Sequence, residues 1–344
     1  MQVLIEIEDR SQVGEARRQA ARLAESLGFD ATQQGKVALA VTEAATNIIK
    51  HAGSGKVLLA PLVRETAAGL ATAGSVTVGL EILALDRGPG IANVSASLRD
   101  GYSTAGSMGA GLGALARLSP SFEVYSQPGR GTALRLEIWG TSLKPPTDEL
   151  EIGAVCLPKK GEEVSGDGWL MKVSGQTRAV MVIDGLGHGP NAARAAREAT
   201  EAFAANASAP PGALMNICHS ALASTRGAAG AVASVVPAKE RGSFAGIGNI
   251  ACRVEVAGER RQLVSHSGTL GHVMRRVQEF DFEFPVGALL ILHSDGLTSR
   301  WTGSDYPGLA ARHAGLIAGV LYRDHDRGTD DVTVVVLKNR TTSA

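Results

Sequence analysis

The feature that most restricts this chain is a repeated one: a short apolar, β-branched run that meets aspartate and glycine at one end. It occurs as VMVIDGLGHG from Val180 to Gly189, as LLILHSDGL from Leu289 to Leu297, and reversed as RGTDDVTVVVL from Arg327 to Leu337. Runs of this length and composition predict buried strands rather than helices. Asp184 therefore stands at a strand exit, and Gly185, Gly187 and Gly189 behind it let another group come close to the backbone. Such an aspartate suits a turn or a helix cap. It equally suits a hard cation such as Mg²⁺ or Mn²⁺, which takes oxygen ligands and keeps several waters.

At 344 residues the chain is long enough for two domains of ordinary size. The seam is TSLKPPTDELE, 141–151, where paired prolines and charges separate two differently patterned parts, 1–140 and 152–340. Lys plus Arg and Asp plus Glu are both 34, so global charge makes no case for nucleic acid or an anionic membrane. Three scattered cysteines, Cys156, Cys218 and Cys252, fit buried thiols in a reducing cytosol. The opening MQVLIEIEDR is unlike a signal peptide, and no apolar run approaches the ~20 residues of a membrane helix. A cytoplasmic protein is expected. Glycine is 42 of 344 against a usual share of about 7%, and many of the excess flank aspartates, as in loops that build sites.

The first part reads as an α+β sandwich, helices first and an antiparallel sheet after. Gln2 to Glu8 alternates as a strand. Ser11 caps a helix with apolar positions Val13, Ala16, Ala20, Leu23 and Leu27, and a second helix runs from about Ala31 to His51. Within it, ALAVTEAATNIIKHAG sets Glu43, Asn47, Lys50 and His51 on one face and gives Leu39, Ala40, Ile48 and Ile49 to the other. Three glycine-bearing stretches follow: LALDRGPGI with Asp86, Gly88 and Gly90, then GSMGAGLGALARL with Gly109, Gly111 and Gly113 before a short helix, then the hairpin PGRGT ending at Thr132. Glycines before a helix N-terminus offer main-chain N–H groups to phosphate.

Taken in order, ExxxN, DxGxGI, GxGxG and PGxGT resemble the Bergerat-type ATP-binding fold of histidine kinases, gyrase, Hsp-type chaperones and MutL. The wording GAGLGALARLSPSFEVYSQPGRGT is most similar to the anti-sigma-factor serine kinases of the RsbT and RsbW kind. The resemblance implies ATP and Mg²⁺ as ligands, Asn47 holding Mg²⁺ at the phosphates, and Asp86 accepting from the adenine amine. It further implies nucleotide contacts at Gly88, Gly90 and Thr132, a lid over Gly109 to Gly113, and Glu43 as base on a protein serine.

The second part predicts many antiparallel strands, a helical pair across about 190–226 and a helix near 307–322: two packed sheets with helices outside. Besides Asp184 and Asp295, EVSGDGWLM puts Asp167 at the start of a strand, and Asp330 and Asp331 precede the last one. Carboxylates gathered at one sheet edge repel unless cations lie between them. Two metals sharing a water lower its pKa and orient it toward phosphorus. The series SGD, DGLGHG, GIGNI, HSDGL, DDVTV resembles the metal-dependent protein phosphatases of the SpoIIE branch, its small RsbX-type members most of all. That resemblance implies two Mn²⁺ or Mg²⁺ ions, with Asp184 bridging both, Asp167 and the Gly185 carbonyl on one, and Asp295 and Asp330 on the other. His188 suits an acid for the leaving seryl oxygen or an ordinary turn histidine. The joint implication is a phosphatase acting on phosphoserine or phosphothreonine of a STAS-domain anti-sigma antagonist or stressosome-type protein. Its ATP-binding part either phosphorylates the same class of partner or docks a sigma factor or STAS protein.

Overall fold

A computed structural model of the protein describes residues 2–65, 76–98, 111–140 and 149–340. The chain divides into two compact units, Met1–Thr147 and Asp148–Ala344. Most of the predicted seam, 141–148, lies outside the described residues, as does Gly109.

The first unit begins with β1 (Val3–Ile7), α1 (Arg10–Ser26) and α2 (Ala31–His51). The cap of α1 is Asp9 rather than Ser11: its Oδ1 accepts from the Ser11 and Gln12 N–H groups, while the Gln12 side chain reaches back in a capping box. Both residue types favour this role, and the carboxylate two positions earlier takes it. Next come β2 (Gly55–Glu65), β3 (Val76–Asp86), a single helical turn α3 (Val94–Ser97), α4 (Gly111–Leu118), β4 (Glu123–Gln127) and β5 (Gly131–Trp139). The strands form one antiparallel sheet in the order β1-β2-β3-β5-β4. Ala16, Ala20 and Ala24 of α1 and Val37, Ala40, Val41, Ala44 and Ile48 of α2 bury against Ile7, Leu59, Ile82 and Leu136 of the sheet. Small residues on the helices bring the layers close, and removal of this apolar surface from water stabilises the packing. Leu39 departs from its expected place. It is 48% exposed, because a spacing of four puts it on the stripe of Glu43 and Asn47.

The second unit contains β6 (Leu150–Leu157), β7 (Asp167–Ser174), β8 (Thr177–Gly185), α5 (Pro190–Asn206), α6 (Pro211–Ala221), β9 (Ala228–Val236), β10 (Arg241–Ile247) and β11 (Ala251–Val256). It ends with β12 (Glu259–Leu263), β13 (Phe280–Glu283), β14 (Leu289–His293), α7 (Ala314–His325) and β15 (Val332–Asn339). Two five-stranded antiparallel sheets, β13-β10-β9-β8-β7 and β12-β11-β14-β15-β6, stack face to face. Val180, Val182, Phe244, Leu290, Leu292 and Val335 interlock between them. Outside the first sheet, Ala195, Ala199 and Phe203 of α5 and Leu214 and Met215 of α6 pack on Met181, Ile183 and Val232. α7 covers β6 and β15, and starts at Ala314, later than the spacing suggested, after a 3₁₀ turn at Leu309–Ala311. At Gly153 a Cβ would lie 2.1 Å from the Gly315 nitrogen, so helix and strand meet there through backbone alone. The observed architecture is the α+β reading, a helix-on-sheet sandwich followed by a double sheet flanked by helices. Among the described residues no helix is long and apolar enough to cross a membrane.

Candidate functional site

In the second unit the fold gathers the strand-end carboxylates of both sheets. Asp167 opens β7 and Asp184 lies one residue from the end of β8, and antiparallel register makes them direct partners. A cross-strand pair has Cβ atoms about 5 Å apart on one face, so the two carboxylates confront each other. Asp295 follows β14, and Asp330 and Asp331 precede β15, its antiparallel neighbour, which puts them at one end of the second sheet. The sheets are tied together at this end. Ser294 Oγ donates to Asp167 Oδ2 at 2.6 Å and receives the Thr333 N–H at 2.9 Å. The Gly166 N–H donates to Asp331 Oδ2 at 2.9 Å, and the Lys159 N–H to its Oδ1 at 2.8 Å. Asp331 thus spends both oxygens on the backbone. Asp295 Oδ2 accepts from Asn249 Nδ2 at 2.8 Å.

Electrostatics record the convergence. Burial, then the charges of Asp167, Asp295, Asp330 and Asp331, push Asp184 from an ordinary value of 3.8 up to about 8. Burial first, and Asp331 and Asp330 after it, push Asp167 up to about 7 against the Ser294 hydrogen bond. Asp167 Oδ1 is buried with no hydrogen-bond partner among the described residues. An orphaned carboxylate oxygen facing like charges fits a hard divalent cation. Among the described residues no three His, Cys, Asp or Glu side chains close on one point by themselves, so backbone carbonyls and water would have to complete any ion's shell. Gly185 lets the end of β8 lie directly against α5: a Cβ there would meet the Ala192 carbonyl at 2.3 Å.

These raised values fix the pH response of the metal-free protein. A carboxyl with a folded pKa above its unfolded one holds more protons when folded, so stability falls as pH rises from the unfolded value through the folded value. The thermal midpoint of metal-stripped protein is expected to fall between about pH 5 and about pH 9, and Mn²⁺ to restore it more at the alkaline end. A flat profile in differential scanning fluorimetry would contradict the gathering of charge described above.

His188 lies at the rim, its side chain 49% exposed, with Nδ1 2.6 Å from Glu162 Oε1. His293, by contrast, is buried at the end of β14 and turned to the Ser294 carbonyl. Cys156, whose Sγ lies 3.8 Å from the Asp167 carbonyl, is pushed up to about 12 by burial and stays a thiol. None of the three cysteines is in a disulfide among the described residues.

In the first unit, Asp86 Oδ1 accepts from the Gly88 N–H at 2.8 Å and the Thr132 N–H at 3.1 Å, which fixes the carboxylate between loop and hairpin. Two glycines make that junction possible. Gly90 has φ +73° and Gly131 φ +88°, and a Cβ on either would lie 2.1 Å from a backbone oxygen, of Gln127 and Asp86 respectively. Ser126 Oγ laces the two segments, accepting from the Ile91 N–H and meeting Thr132 Oγ1 at 2.9 Å. Gly111 and Gly113 belong to α4 itself rather than to a loop before it. A Cβ on Gly111 would stand 2.8 Å from Asn47 Oδ1, so the missing side chain lets the start of α4 abut Asn47, whose Nδ2 is buried without a partner among the described residues. Glu43 lies one turn earlier on α2. Sequence reasoning did not single out Ser126, Glu162, Asn249 or Ser294 for these contacts.

Residues 7–138 match the family model described as a histidine kinase-like ATPase domain, and residues 174–340 the one described as stage II sporulation protein E, SpoIIE. Asp167 precedes the second match. Among curated proteins, the serine/threonine-protein kinase RsbT of Bacillus subtilis (strain 168) is 34% identical over 124 residues, 36% of this chain and 86% of RsbT. Among solved structures, a chain of the bacterial stressosome, described as a modular system adapted to control secondary messenger signalling, aligns with TM-score 0.52 and 28% identity over 56% of this chain and 100% of its own. RsbX in complex with magnesium is a looser likeness, TM-score 0.49 and 20% identity over 56% of this chain and 97% of that one. The chain belongs, through its first unit, to the histidine kinase-like ATPases of the RsbT kind, and joins to that unit a phosphatase domain of the SpoIIE type.

Proposed function

We propose that the second unit removes phosphate from phosphoserine or phosphothreonine on a STAS-domain or stressosome-type protein, and that the first unit uses ATP to phosphorylate the same class of partner. The observation that carries the phosphatase half is the Asp167–Asp184 pair across β7 and β8, with one buried Asp167 oxygen that has no hydrogen-bond partner among the described residues. In this reading Asp184, Asp167 and the Gly185 carbonyl would hold one divalent ion, and Asp184, Asp295 and Asp330 a second, with water completing both shells, as Mn²⁺ or Mg²⁺. Bound ions supply Lewis acidity and let neighbouring carboxylates ionise together. Asp331 serves by bracing the 159–166 loop, and Asn249 by orienting Asp295. Hydrolysis breaks the bond from phosphorus to the seryl oxygen, and that oxygen must gain a proton. His188 donates it, with Glu162 steadying the ring through Nδ1 so that Nε2 faces substrate. That pairing is the support for His188 over a bland turn histidine.

For the first unit, Asp86 receives the adenine amine, with Gly88, Gly90 and Thr132 forming the floor of the base pocket. Asn47 and the start of α4 take the phosphates with Mg²⁺, and Glu43 accepts the proton of the incoming serine. Support comes from the buried Asn47 Nδ2, which has no hydrogen-bond partner among the described residues, and from RsbT being named a serine/threonine-protein kinase. Gly109 and the proposed lid lie outside the described residues. A second reading has this unit as an ATP-dependent dock for a STAS protein or sigma factor. In that reading Leu39, exposed on the Glu43 face, is a side chain the partner would meet. Glu43→Gln separates the two. Transfer from labelled ATP should drop about a hundredfold or more with ATP affinity retained, whereas a dock would keep its regulatory effect unchanged.

A further inference from the structure

The outer face of the second sheet holds a cavity of about 310 Å³ that the reactions above do not use. Arg253 of β11, Arg260 and Gln262 of β12, His293 of β14 and Ser299 line it. Arg253 is the unusual member. Its side chain is only 7% exposed, yet it carries a full charge into a region where, among the described residues, the acid paired with it is Glu255, Oε1 2.8 Å from Nη2. That contact lacks hydrogen-bond alignment, and Nε and Nη2 of Arg253 have no hydrogen-bond partner among the described residues. Nη1 is held by the Trp301 carbonyl at 3.3 Å, which also accepts from Arg260 Nη1 at 3.2 Å, so one carbonyl pins two guanidinium groups side by side. The Arg253 guanidinium sits over the Trp301 ring. Burial, with the like charge of Arg260, brings Arg253 down to about 10 in spite of Glu255.

Two guanidinium groups against one carboxylate leave an excess positive charge in a partly enclosed site. Buried charge without a full set of hydrogen bonds is costly, and a planar guanidinium matches oxyanions in fork geometry. Gln262, Ser299 and His293 add neutral polar groups to the same wall. We infer that this cavity is a binding site for a small phosphate-bearing anion, either inorganic phosphate or a compact phosphate monoester. None of the clustered aspartates lines it. A cavity of this volume, at the small end of ligand pockets, admits either.

The test uses the full chain carrying Asp184→Asn, stripped of metal with EDTA, so that phosphate cannot be retained by divalent ions at the carboxylate cluster. Isothermal titration with inorganic phosphate and, separately, with glycerol 3-phosphate is compared with sodium chloride at matched ionic strength. Saturable binding of at least one of the two is expected, and which one binds identifies the source of the phosphate group. Arg260→Gln, at an exposed position that does not threaten folding, should weaken it about tenfold or more, the usual scale for losing a charged hydrogen bond. Arg253→Met should abolish it. In the otherwise wild-type chain Arg260→Gln should leave hydrolysis of p-nitrophenyl phosphate with Mn²⁺ unchanged. No binding of either anion beyond chloride, or binding that survives Arg260→Gln intact, overturns the assignment without touching the phosphatase reading.

Discussion

Asp184→Asn is expected to cut Mn²⁺-dependent release of phosphate from a phosphoserine protein by about a thousandfold or more, some 4 kcal/mol of transition-state stabilisation. In the proposed arrangement Asp184 is the one side chain shared by both ions, and the amide removes its negative charge while keeping its shape. The same substitution should raise the thermal midpoint of the metal-free protein at alkaline pH. It takes away a carboxyl that burial and four neighbouring aspartates hold up at about 8. Lost activity with gained stability is the signature of a site kept for its chemistry rather than for the fold. A variant that is both inactive and less stable would point instead to a structural aspartate. Asp331→Asn gives the contrast. Because Asp331 accepts from the Lys159 and Gly166 N–H groups, it should cost stability first and activity only through the loosened loop.

Asn47→Ala is expected to weaken binding of ATP with Mg²⁺ by about a hundredfold, roughly 3 kcal/mol. The substitution would remove the proposed oxygen ligand and a buried amide whose nitrogen has no hydrogen-bond partner among the described residues. Gly111→Ala should act in the same direction on a smaller scale, about tenfold, since its methyl would intrude to 2.8 Å from Asn47 Oδ1 and force one of the two aside. Equilibrium dialysis with a labelled nucleotide reads both. Unchanged affinity in both variants would remove Asn47 from the nucleotide site.

Much of the architecture was legible because strands and helices advertise themselves at periods of two and 3.6. The carboxylate-bearing strand ends were legible for the same reason: an aspartate beside glycine at the edge of an apolar run marks itself locally. Local markers fail when two candidates stand close, as at Asp9 and Ser11, where the capping geometry alone decides. They also fail on helix stripes read by eye, as Leu39 shows. What the sequence could not carry was the partners of the site residues. Ser294 meets Asp167 across 127 positions, Asn249 meets Asp295 across 46, and His188 meets Glu162 across 26. No pattern of propensity encodes a contact between two sheets. Register encodes only pairing within one sheet, as where β7 meets β8 and sets Asp167 opposite Asp184.

Whether one chain both adds and removes the same phosphate is decided most directly by a two-stage labelling experiment. Full-length Asp184→Asn protein is mixed with γ-labelled ATP, Mg²⁺ and the STAS-domain proteins of the same genome, and wild-type protein with Mn²⁺ is then added. The account predicts label on one STAS protein in the first stage and its release as inorganic phosphate in the second. Label that never appears, although ATP binds, would contradict the kinase half. Label that wild-type protein and Mn²⁺ leave in place would contradict the phosphatase half.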